Sequence, residues 1–137
     1  MTIERPRASG FYATFEGREF HATTSGPSVV LRAYEGESLP PGFGPSAIPA
    51  VAGTRVVSRS ALDELVYVKS LCTWQNEPFS IVHVDRNLLY VFYIGERGDW
   101  VCNQPGMYRT GKLETSGYID KSACTEIVEF VNPIPLG

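Results

Sequence analysis

The segment Ala13–Glu37, ATFEGREFHATTSGPSVVLRAYEGE, falls on Cys72–Glu96, CTWQNEPFSIVHVDRNLLYVFYIGE, at a shift of 59 residues without a gap. Thr14, Phe20, Tyr34, Gly36 and Glu37 meet identical residues at Thr73, Phe79, Tyr93, Gly95 and Glu96, and Phe15 meets Trp74. Further on the shift becomes 62, where VSRSALDELVYV (Val57–Val68) falls on IDKSACTEIVEF (Ile119–Phe130). Ser60, Ala61, Glu64 and Val66 there meet Ser122, Ala123, Glu126 and Val128. Self-similarity at a fixed spacing implies one structural unit used twice.

The turns say which unit. Two alternating runs flank Glu16-Gly17-Arg18-Glu19 in the first copy and Gln75-Asn76-Glu77-Pro78 in the second. Gly17 and Asn76 are residue types that accept the positive φ of a tight hairpin. Alternation has the same phase in both copies, so Ala13, Phe15, Phe20 and Ala22, like Cys72, Trp74, Phe79 and Ile81, are predicted to face inward. A third strand follows (Ser28–Tyr34 and Asn87–Ile94), then a long irregular loop. SLPPGFGPSAIPAVAG forms it in copy one and GERGDWVCNQPGMYRTGKLETS in copy two. Each copy closes with a strand, a short turn at Ser60 or Ser122, and a last strand.

The reading is therefore all-β, two tandem five-stranded small barrels of about 60 residues packed together. An N-terminal arm (1–9) precedes the first repeat (10–69), and the second repeat (70–131) is followed by a tail (132–137). No segment shows a helical period. The third strand of copy two, Leu88–Ile94, is apolar on both faces, and the gapless shift places Arg32 opposite Val91. A strand apolar on both sides is covered on both sides, so Leu89, Val91 and Tyr93 are predicted to pack on copy one. A homodimer contact would account for them equally well.

Composition narrows the class. In 137 residues, 43% are hydrophobic and 20% charged, with 13 Gly and 10 Pro, a globular make-up rich in turns. Residues 1–70 carry seven acids and seven bases, and residues 71–137 eight acids and five bases, so the acidic excess lies wholly in the second half. With no basic stripe, nucleic acid is not an expected partner. The longest apolar run spans seven residues against the roughly 20 of a membrane helix, and no apolar run follows the N-terminal arginines as in a secretory signal. A cytoplasmic location and no membrane partner are expected. Three cysteines without a CxxC spacing (Cys72, Cys102, Cys124) are read as free thiols. Cys72 matches Ala13 and Cys124 matches Leu62, both core positions.

Gly117-Tyr118-Ile119-Asp120-Lys121-Ser122-Ala123-Cys124 is similar to the close of Src-homology-3-like barrels: a glycine, an inward strand, one 3₁₀ turn and a last strand. The proline-binding groove of the eukaryotic members does not carry over, because their acidic aromatic opening is absent and Asp120 stands at the groove proline. The opening GFYATFEGREFHA (Gly10–Ala22) resembles that of small bacterial immunity proteins, partners of secreted polymorphic toxins. The resemblance implies a cytoplasmic, non-catalytic protein that plugs a toxin's active site.

Candidate chemistry is sparse. His21 and His83, the two histidines, fall at non-matching positions of the repeat, which reads as packing and not as a shared catalytic role. His83-Val84-Asp85 runs into a turn, and no nucleophile elbow is present. A Cys102–His83 pair and a zinc site lack close ligand spacing. Carboxylates at Glu96, Asp99, Glu114 and Asp120 read as solvated loop acids. No cofactor, no metal and no catalytic residue are expected.

What remains is the loop 95–116, where Trp100, Met107 and Tyr108 stand among Glu96, Arg97, Asp99 and Arg109. These residue types concentrate at protein interfaces, and loops on a rigid scaffold carry binding. The seven are the expected partner-binding residues. The competing reading has Trp100 and Tyr108 folding back to cap the barrel. The functional expectation is a non-enzymatic protein-binding module, an immunity protein blocking a cognate toxin. The alternative is a small-molecule or glycan binder using the loop aromatics.

Overall fold

The computed structural model describes residues 5–34, 39–46, 51–111 and 114–136. The chain is all-β. Among the described residues eleven strands, all antiparallel where their pairing is defined, belong to one sheet that does not close on itself. Among the described residues no helix is long and apolar enough to cross a membrane. The chain divides into two compact units, Gly10–Tyr67 with the residues from Asn132 onward, and Val68–Val131 with the residues before Gly10.

The first unit holds β1 (Gly10–Phe15), β2 (Arg18–Ser25), β3 (Ser28–Tyr34), β4 (Gly44–Pro45), β5 (Val51–Ser58) and the start of β6 (Glu64–Trp74). Its strands follow the order β4-β5-β3-β2-β1. The β1–β2 hairpin turns on Glu16 (φ 50°) and Gly17 (φ 80°). Two successive left-handed residues match the right-handed twist of the flanking strands. Ala13, Phe15, Phe20 and Ala22 are buried with Val29, Leu31, Val57, Leu62 and Leu65, the alternation read from the sequence. Ile134 and Leu136 of the C-terminal segment pack on this core, and the Ile134 amide donates to Leu65 O at 2.8 Å.

The second unit holds the rest of β6, then β7 (Glu77–Asp85), β8 (Leu88–Tyr93), α1 (Gly98–Val101), β9 (Met107–Gly111), β10 (Glu114–Asp120) and, up to Val131, β11 (Glu126–Pro133). Its order is β6-β7-β8-β10-β9, with β11 on β6. Gln75 (φ 53°) and Asn76 (φ 62°) make the equivalent hairpin, and Cys72, Trp74, Phe79 and Ile81 are buried. The N-terminal segment belongs here: Ser9 N–H donates to Ile81 O at 2.8 Å, and the Arg7 guanidinium meets Glu129 at 3.0 Å.

The closures match atom for atom. A 3₁₀ turn at Arg59–Ala61 and another at Lys121–Ala123 precede the last strands. After them, Asp63 N–H donates to Thr14 O at 2.8 Å and Thr125 N–H to Thr73 O at 2.9 Å. Thr14 and Thr73 are the pair matched by the first shift, and Asp63 and Thr125 the pair matched by the second.

Four expectations need correction. The match is not gapless: in β7–β8 the register slips between Ile81 and His83, a bulge that inserts one residue and re-aims those after it. Ile81 faces Val91 as Ala22 faces Leu31, so Val91 corresponds to Leu31, and Arg32 to Phe92. Leu89 and Val91 are accordingly buried in the second unit's own core, with Tyr93 packed against it, where the gapless shift had assigned them to copy one. The outer face of β8 carries Leu88, Tyr90 and Phe92, exposed or half-buried. The second long loop is not irregular, since it contains α1 and β9. Finally, the last strand of copy one and the first of copy two are continuous as β6. The first long loop is described only in part, residues 38 and 47–50 lying outside the described residues.

Candidate functional site

The expected partner surface follows β8. Tyr93, at the end of that strand, turns its ring onto Phe79 (centroids 5.3 Å apart) and its hydroxyl toward the loop. The hydroxyl donates to Glu77 Oε1 at 2.5 Å and accepts the Arg97 amide at 2.6 Å. Burial, then the hydrogen bond to Glu77, raise the Tyr93 pKa above its usual value. Gly95 permits this packing, because a Cβ there would lie 2.4 Å from the Tyr93 hydroxyl oxygen. Arg97 reaches back to Glu77 at 3.6 Å and lies 4.6 Å over the Trp100 ring.

Trp100 rides on α1, a single turn closed by Val101 N–H to Arg97 O at 2.9 Å and Cys102 N–H to Gly98 O at 2.9 Å. So short a helix is not stable from propensity alone. It is pinned by Val101, fully buried in the core of the unit. Asp99 accepts from Arg109 Nη2 at 2.8 Å, tying α1 to β9, and Asn103 Nδ2 donates to the Asp99 carbonyl at 2.8 Å. Beyond it, Gly106 (φ 85°) and Gly117 let the loop touch β10 backbone to backbone: a Cβ on Gly117 would lie 2.1 Å from Gly106 O.

The seven expected residues therefore separate. Met107 is only 6% exposed and lies in the core beside Val101, so it offers no surface. Trp100 is 37% exposed and Tyr108 62%. Capping of the core is done by Val101 and Met107, and the two large rings stay outside. Glu96, Arg97, Asp99, Trp100 and Arg109 line one open depression of about 590 Å³ with Tyr93 as a further wall. Tyr108 stands on β9, opposite Ser116. The charges are internally matched, with Asp99 on Arg109 and Glu77 on Arg97, and the lining of the depression carries two acids, Glu96 and Asp99, against two bases, Arg97 and Arg109. Sequence reasoning missed Glu77, Tyr93 and Val101. The match of Glu77 with Arg18 at the first shift was the available signal, a charge reversal at a hairpin position.

Of the remaining candidates, Cys102 borders the depression and the histidines and the other two cysteines are not among its lining residues. His83 is exposed on β7, opposite Tyr90, whereas Cys102 Sγ contacts Asp99 O at 3.4 Å and Arg109 Nη2 at 3.5 Å. His21 stacks on Tyr12 with centroids 5.0 Å apart and bonds through Nδ1 to the Tyr34 hydroxyl at 2.5 Å, a packed strand residue. Cys72 is buried and Cys124 packs against the same core. A hydrogen bond with Cys124, then burial, push the Cys72 thiol up. The same bond lowers Cys124. Among the described residues no group of three or more His, Cys, Asp or Glu is arranged to hold a metal ion.

The profile of one protein family matches residues 8–135, nearly the whole chain and both units. The chain belongs to the family described as Uncharacterised conserved protein UCP033725. No curated protein and no solved structure matches the chain significantly. In this UCP033725 chain the match includes the β1–β2 hairpin, its counterpart at Gln75-Asn76, and the whole Gly95–Gly111 loop.

Proposed function

We propose that the chain is a non-enzymatic binding protein whose partner is another protein, and that Trp100, Tyr108, Glu96, Arg97, Asp99 and Arg109 form the contact. One observation carries this reading. Two large aromatic side chains stand exposed on a loop that Val101, Met107 and the Asp99–Arg109 pair hold in place. An aromatic presented by a fixed loop loses little conformational entropy on binding, and Trp, Tyr and Arg dominate interface hot spots. The most concrete form of the role, supported by the resemblance of Gly10–Ala22, is a cytoplasmic bacterial immunity protein that occludes a toxin's active site. The scaffold we read beneath it is a pair of small, partly open barrels similar to Src-homology-3-like units. The matched hairpins, 3₁₀ turns and closing hydrogen bonds support that reading.

The test is rescue. Cells expressing the product of the neighbouring gene should survive when the chain is co-expressed. Rescue should fail with Trp100→Ala and Tyr108→Ala combined, while urea midpoints shift little, since surface substitutions change stability by about 0.5 kcal/mol or less. A neighbour whose product is an ordinary metabolic enzyme, or rescue undiminished in the double variant, would sink the idea. The open depression of about 590 Å³ beside Trp100 favours one second reading, a small glycan bound against the indole. A thermal-shift screen separates the two, because only a small ligand of the folded state raises the melting temperature in the absence of a protein partner.

A further inference from the structure

The outer face of the second unit's sheet can be set beside its counterpart in the first. In β7, β8 and β10 the register pairs Asp85 with Leu88 and Leu88 with Asp120. One row further on it pairs His83 with Tyr90 and Tyr90 with Tyr118. Residues directly opposite on neighbouring strands point to the same face, as do residues two apart along one strand. These six side chains therefore share a face, the one turned away from the core that holds Leu89, Val91 and Ile119. Phe92 continues it for a third row, opposite Ser116.

In the first unit the matching pairs are Ser25 with Ser28, Ser28 with Ser58, Thr23 with Val30, and Val30 with Val56. Arg32, the counterpart of Phe92, hydrogen-bonds Thr23 Oγ1. From the first unit to the second, Ser28 becomes Leu88, Val30 becomes Tyr90, Val56 becomes Tyr118 and Arg32 becomes Phe92. Ser25 and Ser58 become Asp85 and Asp120. These six exchanges run in one direction: apolar area and negative charge are gained, and a cation is lost. The first unit folds without them, so the sheet itself does not require them. Exposed apolar area gathered on one face marks an interaction site.

The rings are fixed in place. Tyr90 and Tyr118 lie 4.8 Å apart between centroids, and the Tyr90 hydroxyl is 3.0 Å from Ser116 Oγ. Tyr118 and Leu88 are exposed, while Tyr90 and Phe92 are half-buried. A shelf held this way has little conformational freedom to lose on binding. At its end Asp85, Asp120 and Arg86 line an open depression of about 510 Å³ around Leu88, two carboxylates to one guanidinium. Among the described residues neither carboxylate takes part in an ion pair.

We infer that this face docks a basic segment of a partner protein, with apolar side chains on Tyr90, Phe92 and Tyr118 and a lysine or arginine between Asp85 and Asp120. Charge complementarity selects the occupant. Successive rows of the face are about 7 Å apart, the spacing of residues i and i+2 in an extended chain, so an apolar residue and a basic one two positions apart match it. A nucleic-acid phosphate would meet two carboxylates. A second copy of the face would bury four carboxylates with only the two Arg86 side chains lining the depressions to answer them. A neutral glycan would leave both acids unused. The surface does not depend on the contact proposed for the loop 95–116.

The test is an NMR titration of the whole chain, into the millimolar range, with a short synthetic peptide repeating Leu-Ser-Arg-Ser. Two controls are the same peptide with glutamate for arginine and a neutral cello-oligosaccharide. The arginine peptide should give saturable shifts at the amides of Leu88, Tyr90 and Tyr118, with both controls at least about tenfold weaker. Asp85→Asn combined with Asp120→Asn should weaken it about tenfold, and Tyr118→Ala likewise. Trp100→Ala should leave it unchanged, which separates this surface from the loop. Should Tyr118→Ala fail to fold, the double asparagine variant decides. Absence of saturable shifts overturns the inference, and so does equal or tighter binding of either control. Undiminished binding in the folded double asparagine variant overturns it too, as does a dimer in sedimentation that Tyr118→Ala dissolves.

Discussion

Replacing Phe79 with alanine removes a ring that is 0% exposed, lies 5.9 Å from Trp74 and 5.3 Å from Tyr93, and touches the core of the second unit. A buried Phe→Ala change costs about 3–5 kcal/mol in lost transfer free energy and residual cavity. Two ring pairs worth about 0.5–1.5 kcal/mol each beyond their area push this site toward the upper end. Against a total stability of about 5–15 kcal/mol, the variant should be folded but marginal. Urea unfolding followed by tryptophan fluorescence reads the change in the right place, because Trp74 and Trp100 both belong to the second unit. The equivalent Phe20→Ala should cost less, about 3 kcal/mol, since its ring packs on the half-buried Phe43. A Phe79→Ala loss of about 1 kcal/mol, the value of an average substitution, would refute the packing described.

Three further outcomes are expected. Gly117→Ala drives a Cβ against the Gly106 carbonyl and the Met107 Cα, both backbone, so it should cost about 1–3 kcal/mol and abolish partner binding through the loop. A neutral cost with unchanged loop amide shifts would count against the close approach. Tyr93, with its pKa raised by burial and by Glu77, keeps its proton in the folded chain where an unfolded tyrosine ionises at about pH 10. Its contribution is therefore full below that pH and lost as pH rises through the raised folded value. Urea midpoints between about pH 9 and pH 11 should fall more steeply in the native chain than in Tyr93→Phe, and equal slopes would remove the effect. In the folded protein, iodoacetamide followed by peptide mapping should label the half-exposed Cys102 and Cys124 first and the buried Cys72 last. Rapid labelling of Cys72 would contradict its burial.

The hairpins were legible in the sequence because their signals are local. Period-two burial and a positive-φ pair at Glu16-Gly17 and Gln75-Asn76 need no tertiary information. The bulge at Val82 was not legible, because it inserts an apolar residue into an apolar strand. Val82, exposed, and Val91, buried, look alike in a hydropathy pattern. For the same reason the inner face of β8 was assigned to the wrong neighbour. Within the candidate site, Trp100 and Tyr108 were readable as loop aromatics. The burial of Met107 was not, since it depends on the Gly106–Gly117 contact between residues eleven apart in sequence.

Whether both halves share one β unit can be measured directly by cross-strand nuclear Overhauser effects in the labelled chain. The expected pattern pairs Ala22 with Leu31 and Ile81 with Val91, and places the amides of Asp63 and Thr125 against Thr14 and Thr73. Ile81 found opposite Tyr90, or either closing contact missing, would contradict the shared architecture.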